Sequence, residues 1–132
     1  MKFINRFMPH NSLPQDLDLS FLLDIADGST EFIVESIDMF MQQTPELLQT
    51  IDSGIAANDW TTVASASHKL KPNLGFFGMP ISQATMQEVE IMAKNGAEDP
   101  ALLKEKFSEV QAIIAENLIS LAKIREEKQA EL

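Results

Sequence analysis

Residues 58–80 read NDWTTVASASHKLKPNLGFFGMP, and the helical phase of this stretch sets the fold class. At ~100° per residue, Val63, Ala66, Leu70, Leu74 and Phe77 fall on one apolar stripe, the spacing of a helix laid against a core. His68 lies on the opposite side. Thr61, Ala64, Ser65, Pro72 and Gly75 share its face, and all are small or compact, so no long side chain stands between the imidazole and an approaching macromolecule. Lys69 and Lys71 flank the cleared strip. A histidine with no task is usually surrounded by long charged side chains. A solvated histidine on an amphipathic helix is the bland reading; the cleared face and the two ammonium groups argue for a docking surface made of Thr61, Ala64, Ser65, Lys69, Pro72 and Gly75.

The chain on either side repeats the helical pattern. Residues 1–15 contain Pro9 and Pro14 and no lasting periodicity, which predicts an irregular lead-in, and His10 within it has nothing nearby to position or activate it. From Asp16, the residues Leu19, Leu22, Leu23 and Ala26 predict a short first helix stopped by Asp27-Gly28. Ser29 is placed to cap a long second helix with Ile33, Ile37, Phe40, Leu47 and Ile51 inward and a kink or break near Pro45. Asn58 or Asp59 caps the His68 helix, which stops at Gly78-Met79-Pro80. Inside it, Pro72 removes the donor that His68's carbonyl would use, so a bend or a water is expected there.

A fourth helix from Pro80 is carried by Ile81, Thr85, Val89 and Met92 and ends at Asn95-Gly96. Asp99-Pro100 opens the last helix on Leu103, Phe107, Val110, Ile114, Leu121 and Ile124, with Asn117 on the same stripe and the charged tail REEKQAEL frayed. The methionines at 39, 41, 79, 86 and 92 read as core filling. Four amphipathic helices joined by short connections bury their stripes in an all-α antiparallel four-helix bundle, with the short first helix as a lid. The bundle domain is expected over residues 16–128, with 129–132 as frayed tail.

Composition limits what such a bundle can do. A chain of 132 residues fits one domain, and the absence of cysteine excludes disulfides and thiolate chemistry. The opening MKFINRFMPH is too short and interrupted for a signal peptide core, and no later run approaches a membrane span, so a cytoplasmic protein with no membrane partner is expected. A net charge of -10 argues against nucleic acid. Its distribution says more. Between Phe7 and His68 there are ten acidic residues and no Lys or Arg, so Lys69 and Lys71 form a positive patch reserved for the histidine. Neither histidine has a glutamate three residues before it, as a di-iron site needs, and there is no phosphate-binding loop for a nucleotide. No metal or cofactor site is therefore expected, and the chain has no ATP site with which to make its own phosphoryl donor.

What remains is a nucleophile presented to something else. His68-Lys69-Leu70-Lys71, with Asn73, with Gly78 ten residues after the histidine and Trp60 eight before it, resembles the histidine-containing phosphotransfer (HPt) domain. The resemblance runs from about Leu17 to Ile124 and includes a long helix with a mid-course proline, Pro45. It departs at Pro72, where the family has glycine. The resemblance implies a phosphoryl carrier, not an enzyme, in a two-component phosphorelay: His68 accepts a phosphoryl group on its outer ring nitrogen from a receiver-domain aspartyl phosphate and passes it to another receiver. It implies response regulator receiver domains and a hybrid histidine kinase as partners, with Mg²⁺ held by the receiver and no cofactor on this chain, which is expected to be a monomer. Lys71, about 60° from His68 on the next turn, is placed to offset charge on the transferring oxygens. Lys94 and Glu90 fall where family members often carry a further polar or basic residue, but a glutamate beside a phosphate is repulsive, and no role is assigned to Glu90. The competing reading is a bundle that docks on or inhibits a receiver or kinase without being phosphorylated.

Overall fold

The structure, a computed structural model, describes residues 16–132. The predicted lead-in and His10 lie outside the described residues. Five helices follow in order: α1 Ser20–Ala26, α2 Thr30–Ala56, α3 Trp60–Phe76, α4 Pro80–Lys94 and α5 Pro100–Gln129, with no strand among the described residues. Helix α3 packs on α2 and α4, and α5 packs on the same two from the other side, so the four long helices close a ring around one core while α1 rests on α2. That is the expected bundle with its extra N-terminal helix.

Local chemistry sets the helix limits. Ser29 accepts a hydrogen bond from the Phe32 amide at 3.1 Å, Asp59 from Thr62 at 3.2 Å and Asp99 from Leu102 at 3.1 Å, which gives three of the long helices a side-chain N-cap. Helix α2 passes through Pro45 unbroken, and α3 through Pro72. Proline costs each helix one amide donor, yet apolar residues are buried on both sides of each: Phe40 and Leu48 around Pro45, Leu70 and Leu74 around Pro72.

The core confirms the α3 stripe, since Val63, Ala66, Leu70, Leu74 and Phe77 are all buried, as are Leu103, Phe107, Val110, Ile114 and Leu121 of α5. Four expectations need correction. Leu23 is 46% exposed, because α1 buries only Leu22 and Ala26. Met39 is exposed and fills no core, whereas Met79 and Met86 are fully buried. On α4 the inward residues are Ser82, Met86, Val89, Glu90 and Ala93, and Ile81 points out, a rotation of about one residue from the predicted phase. The tail does not fray at Arg125: α5 stays helical to Gln129, and Arg125 forms a two-point ion pair with Asp38 of α2 at 2.9 and 3.3 Å.

The α4 rotation has a source far away in sequence. Asp16, 2% exposed, accepts hydrogen bonds from the amides of Ile81 and Ser82 at 2.7 and 2.8 Å and from the Ser82 hydroxyl at 2.6 Å. It therefore precedes α1 and caps α4, where no local side chain does so. Asn117 Nδ2 donates to the Asp16 carbonyl at 2.9 Å, so the buried amide on the α5 stripe is satisfied. Next to this knot, Asp18 donates its amide to the Gly78 carbonyl at 2.9 Å. Gly78 sits at φ +67, and a Cβ there would lie 1.6 Å from the Asp18 carbonyl oxygen. Only glycine allows both the turn and the close approach.

The bundle's stability is predicted to rest on the α3 stripe and to be indifferent to the histidine. In chemical denaturation, Leu70→Ala and Leu74→Ala are expected to cost ~2 to 5 kcal/mol each, and Gly78→Ala at least ~1 to 3 kcal/mol from the backbone conformation alone. His68→Gln should stay within ~0.5 kcal/mol of the parent, as at an exposed position; a loss comparable to the leucine variants would contradict the helix phase.

Candidate functional site

Helix α3 carries His68 one residue beyond the buried Ser67 and two before the buried Leu70, so the imidazole stands outward on a helix whose other face is fixed in the core. Its side chain is 68% exposed. What the sequence does not reveal is its partner: Nδ1 lies 2.9 Å from Oε2 of Glu90, a residue of α4 whose own side chain is only 3% exposed. The same carboxylate gathers two cations. Lys71 Nζ is 2.8 Å from Oε1, and Lys94 Nζ, one turn along α4, is 3.0 Å from Oε2. Lys71 also donates to the side-chain oxygen of Gln87.

The electrostatics of this cluster decide the state of each group. Burial raises the pKa of the Glu90 carboxyl, but the ammonium groups of Lys71 and Lys94 and the imidazole N–H of His68 outweigh it and hold the pKa at about 2. At neutral pH Glu90 is thus a carboxylate, which can only accept. Nδ1 must therefore carry a proton, so that in the neutral imidazole the lone pair belongs to Nε2, on the solvent side and without a hydrogen bond among the described residues.

Of the six residues assigned to docking, Thr61, Ala64, Ser65 and Lys69 line one open cavity of about 850 Å³ together with Trp60, His68, Glu90 and Lys94. Ala64 forms part of its wall and is largely buried. The other two lie elsewhere. Pro72 is exposed but does not line that cavity, and Gly75 borders a separate hollow with Asp18, Phe21 and Gly78. A Cβ on Gly75 would come within 2.5 Å of the Gln83 amide nitrogen, which donates to the Lys71 carbonyl at 3.3 Å. Lys71 lies beside the imidazole as a partner of Glu90.

The sequence places Glu90 near the histidine but gives it no role, because a carboxylate repels a phosphate, and a stripe phased on Ile81, Thr85, Val89 and Met92 does not bury it. Moving the phase by one residue brings position 90 inward, directly under His68. The available signal was Glu90 with Lys94, four residues apart and able to pair on one helix.

Comparison with known proteins gives the family and the fold. A sequence model described as "Hpt domain" matches residues 35–120, well over half of the chain, and the protein belongs to that family, the histidine phosphotransfer domains of two-component phosphorelays. Among solved structures, the fold matches the crystal structure of histidine-containing phosphotransfer protein B (HptB) from Pseudomonas aeruginosa PAO1 with a TM-score of 0.69 at 19% identity, over 85% of this chain and 96% of that one. A search of curated proteins gives no match. No helix among the described residues is long and apolar enough to cross a membrane.

The depressed Glu90 pKa predicts an acid-sensitive link between α3 and α4. A carboxyl whose folded value lies below its ordinary value of 4.5 contributes stability that is complete above about 4.5 and is lost as pH falls toward about 2. Denaturation midpoints measured from pH 7 to pH 2 should fall more steeply over that window for the parent than for Glu90→Gln, and parallel curves would remove the carboxylate from the stability balance.

Proposed function

We propose that His68 is the phosphoryl acceptor of this domain. It takes the group through Nε2 from the aspartyl phosphate of a response regulator receiver and hands it to a second receiver, downstream of a hybrid histidine kinase. The observation that carries this reading is the Nδ1 contact with Glu90, which leaves the attacking lone pair on an exposed nitrogen of an otherwise anchored ring. Attack is in line: Nε2 forms a bond to phosphorus as the bond from phosphorus to the aspartyl oxygen breaks, and that oxygen keeps the electron pair. The receiver supplies the Mg²⁺ that steadies the departing carboxylate, and this chain needs no cofactor of its own. Lys71 and Lys94 supply positive charge near the transferring oxygens.

Docking on this reading uses the cavity wall formed by Thr61, Ala64, Ser65 and Lys69 and continues past Pro72 to Gly75. There the exposed Phe21 of α1 and the neighbouring Ile25 add apolar contact area. The acidic remainder of the surface keeps other anions away while the lysines draw in the receiver's acidic pocket. The protein acts as a monomer in the cytoplasm, where receivers hold their aspartyl phosphates.

Two variants test the assignment. On rapid-quench mixing with a labelled phospho-receiver, His68→Gln is expected to accept no label, and Lys71→Ala to slow transfer by a factor on the order of 10 to 1000 through loss of one electrostatic contact. Base-stable, acid-labile label on the His68→Gln protein would overturn the acceptor assignment. Parent protein that binds the receiver yet takes no label would favour the competing role of an unphosphorylated docking module.

A further inference from the structure

The contact between His68 and Glu90 has a consequence for the phosphorylated state. Resting on the acceptor reading above, we infer that Glu90 keeps the proton on Nδ1 throughout the relay step, so that phospho-His68 persists as a phosphoimidazolium and both transfers proceed without exchanging a proton with solvent.

The argument is one of donors and acceptors. When the Nε2 lone pair forms its bond to phosphorus, the ring retains the Nδ1 proton and becomes positively charged. In water such a ring can release that proton and relax to a neutral phosphoimidazole. Here release would leave an Nδ1 lone pair facing the Glu90 Oε2 lone pairs at a contact distance of 2.9 Å. Two acceptors at that separation repel. The carboxylate cannot turn away, because Oε1 is tied to Lys71, Oε2 also meets Lys94, and the side chain is walled in by the packing of α4. Nor can it become a donor by taking up a proton near neutrality, since those same cations favour its ionised form. The lysines around the ring oppose a cationic imidazole, and Glu90, Asp59 and the transferred group's own charge of about -1.5 to -2 offset them. Lys69 of α3, like Lys71 and Lys94, adds positive charge, while Asp59 lines the same cavity from the α2–α3 connection and adds a second negative one.

The retained proton changes the chemistry of delivery. In the onward step a receiver carboxylate oxygen attacks phosphorus, the bond from phosphorus to Nε2 breaks, and the electron pair returns to Nε2. If Nδ1 is protonated the leaving group is a neutral imidazole. If it is not, the leaving group is an imidazolide anion, and a proton must first be recovered from solvent. Glu90 thus acts as a positioning residue through His68 and sets this protein up as a fast donor instead of a store of phosphohistidine. A glutamine at the same place would not do so, since its amide can present either its oxygen to Nδ1–H or its NH₂ to a bare Nδ1.

Phosphoramidate, a small-molecule donor, allows the test without any receiver. After phosphorylation of ¹⁵N-histidine-labelled protein, the Nδ1 resonance of phospho-His68 is followed by NMR from pH 6 to 9, beside the rate of phosphoryl loss. The parent is expected to show a protonated Nδ1 and a flat rate profile over that range. In Glu90→Gln the proton should be released within the range, and the rate should fall about tenfold per pH unit beyond that point, as for a step needing one proton. A bare Nδ1 in the parent by pH 7.5 would overturn the inference, and this reading stands even if the variant does not fold. If phosphoramidate leaves His68 unlabelled, it is the acceptor assignment that fails. The inference is then decided on the unmodified ring, where a neutral form protonated on Nε2 in the parent would overturn it and one protonated on Nδ1 would uphold Glu90 as the holder of that proton.

Discussion

A carboxylate with almost none of its surface in water stays ionised only where cations and donors come to it, and Glu90 meets that condition through three residues at once. Two of them, His68 and Lys71, belong to α3; the third, Lys94, belongs to its own helix. The ion cluster therefore fixes the rotation of α3 against α4 as well as the tautomer of the imidazole. Burying such a cluster adds little net stability over an apolar contact, because desolvation of the charges offsets their attraction. Its contribution lies in geometry: one ring nitrogen is occupied and the other is left outward.

The rest of the bundle serves that rotation. Asp16, held by Asn117 of α5, caps the first turn of α4 and brings Ser82 inward, and two turns later the same phase carries Glu90 beneath His68. On α3, Leu70 and Leu74 are fully buried while His68 stands in solvent, so the core anchors the helix from the face opposite the imidazole. On the proposed reading, His68 and the lysines around Glu90 are the part of the active site that this chain contributes, and the receiver contributes the rest. That is the design expected of a carrier in a family whose members pass a phosphoryl group between other proteins.

Much of this is written in local sequence. Helical periodicity around residues 58–80 placed Leu70 inside and His68 outside. The caps at Ser29, Asp59 and Asp99 and the stop at Gly78 followed from side chains that act within three or four residues of themselves. The family's motif was legible for the same reason, since His68 and Lys71 share one helix. Periodicity fails where the stripe is mixed. On α4, polar Ser82 and charged Glu90 lie inward and Ile81 outward, and a reading that sends apolar residues inside must misplace all three.

Only the tertiary structure could assign those residues, because the partners that make their burial possible are remote. Ser82 is inside because Asp16, 66 residues away, bonds to it, and Glu90 is inside because His68, 22 residues away, and Lys71 neutralise it. Arg125 likewise keeps the end of α5 helical through Asp38, 87 residues distant. The sequence by itself determined the class of fold, the helix bearing the exposed histidine and the lysines beside it on that helix. Which ring nitrogen is free, and what holds the other, depended on two helices meeting, since a single-chain pattern records the polarity of each residue but not the group that will satisfy it.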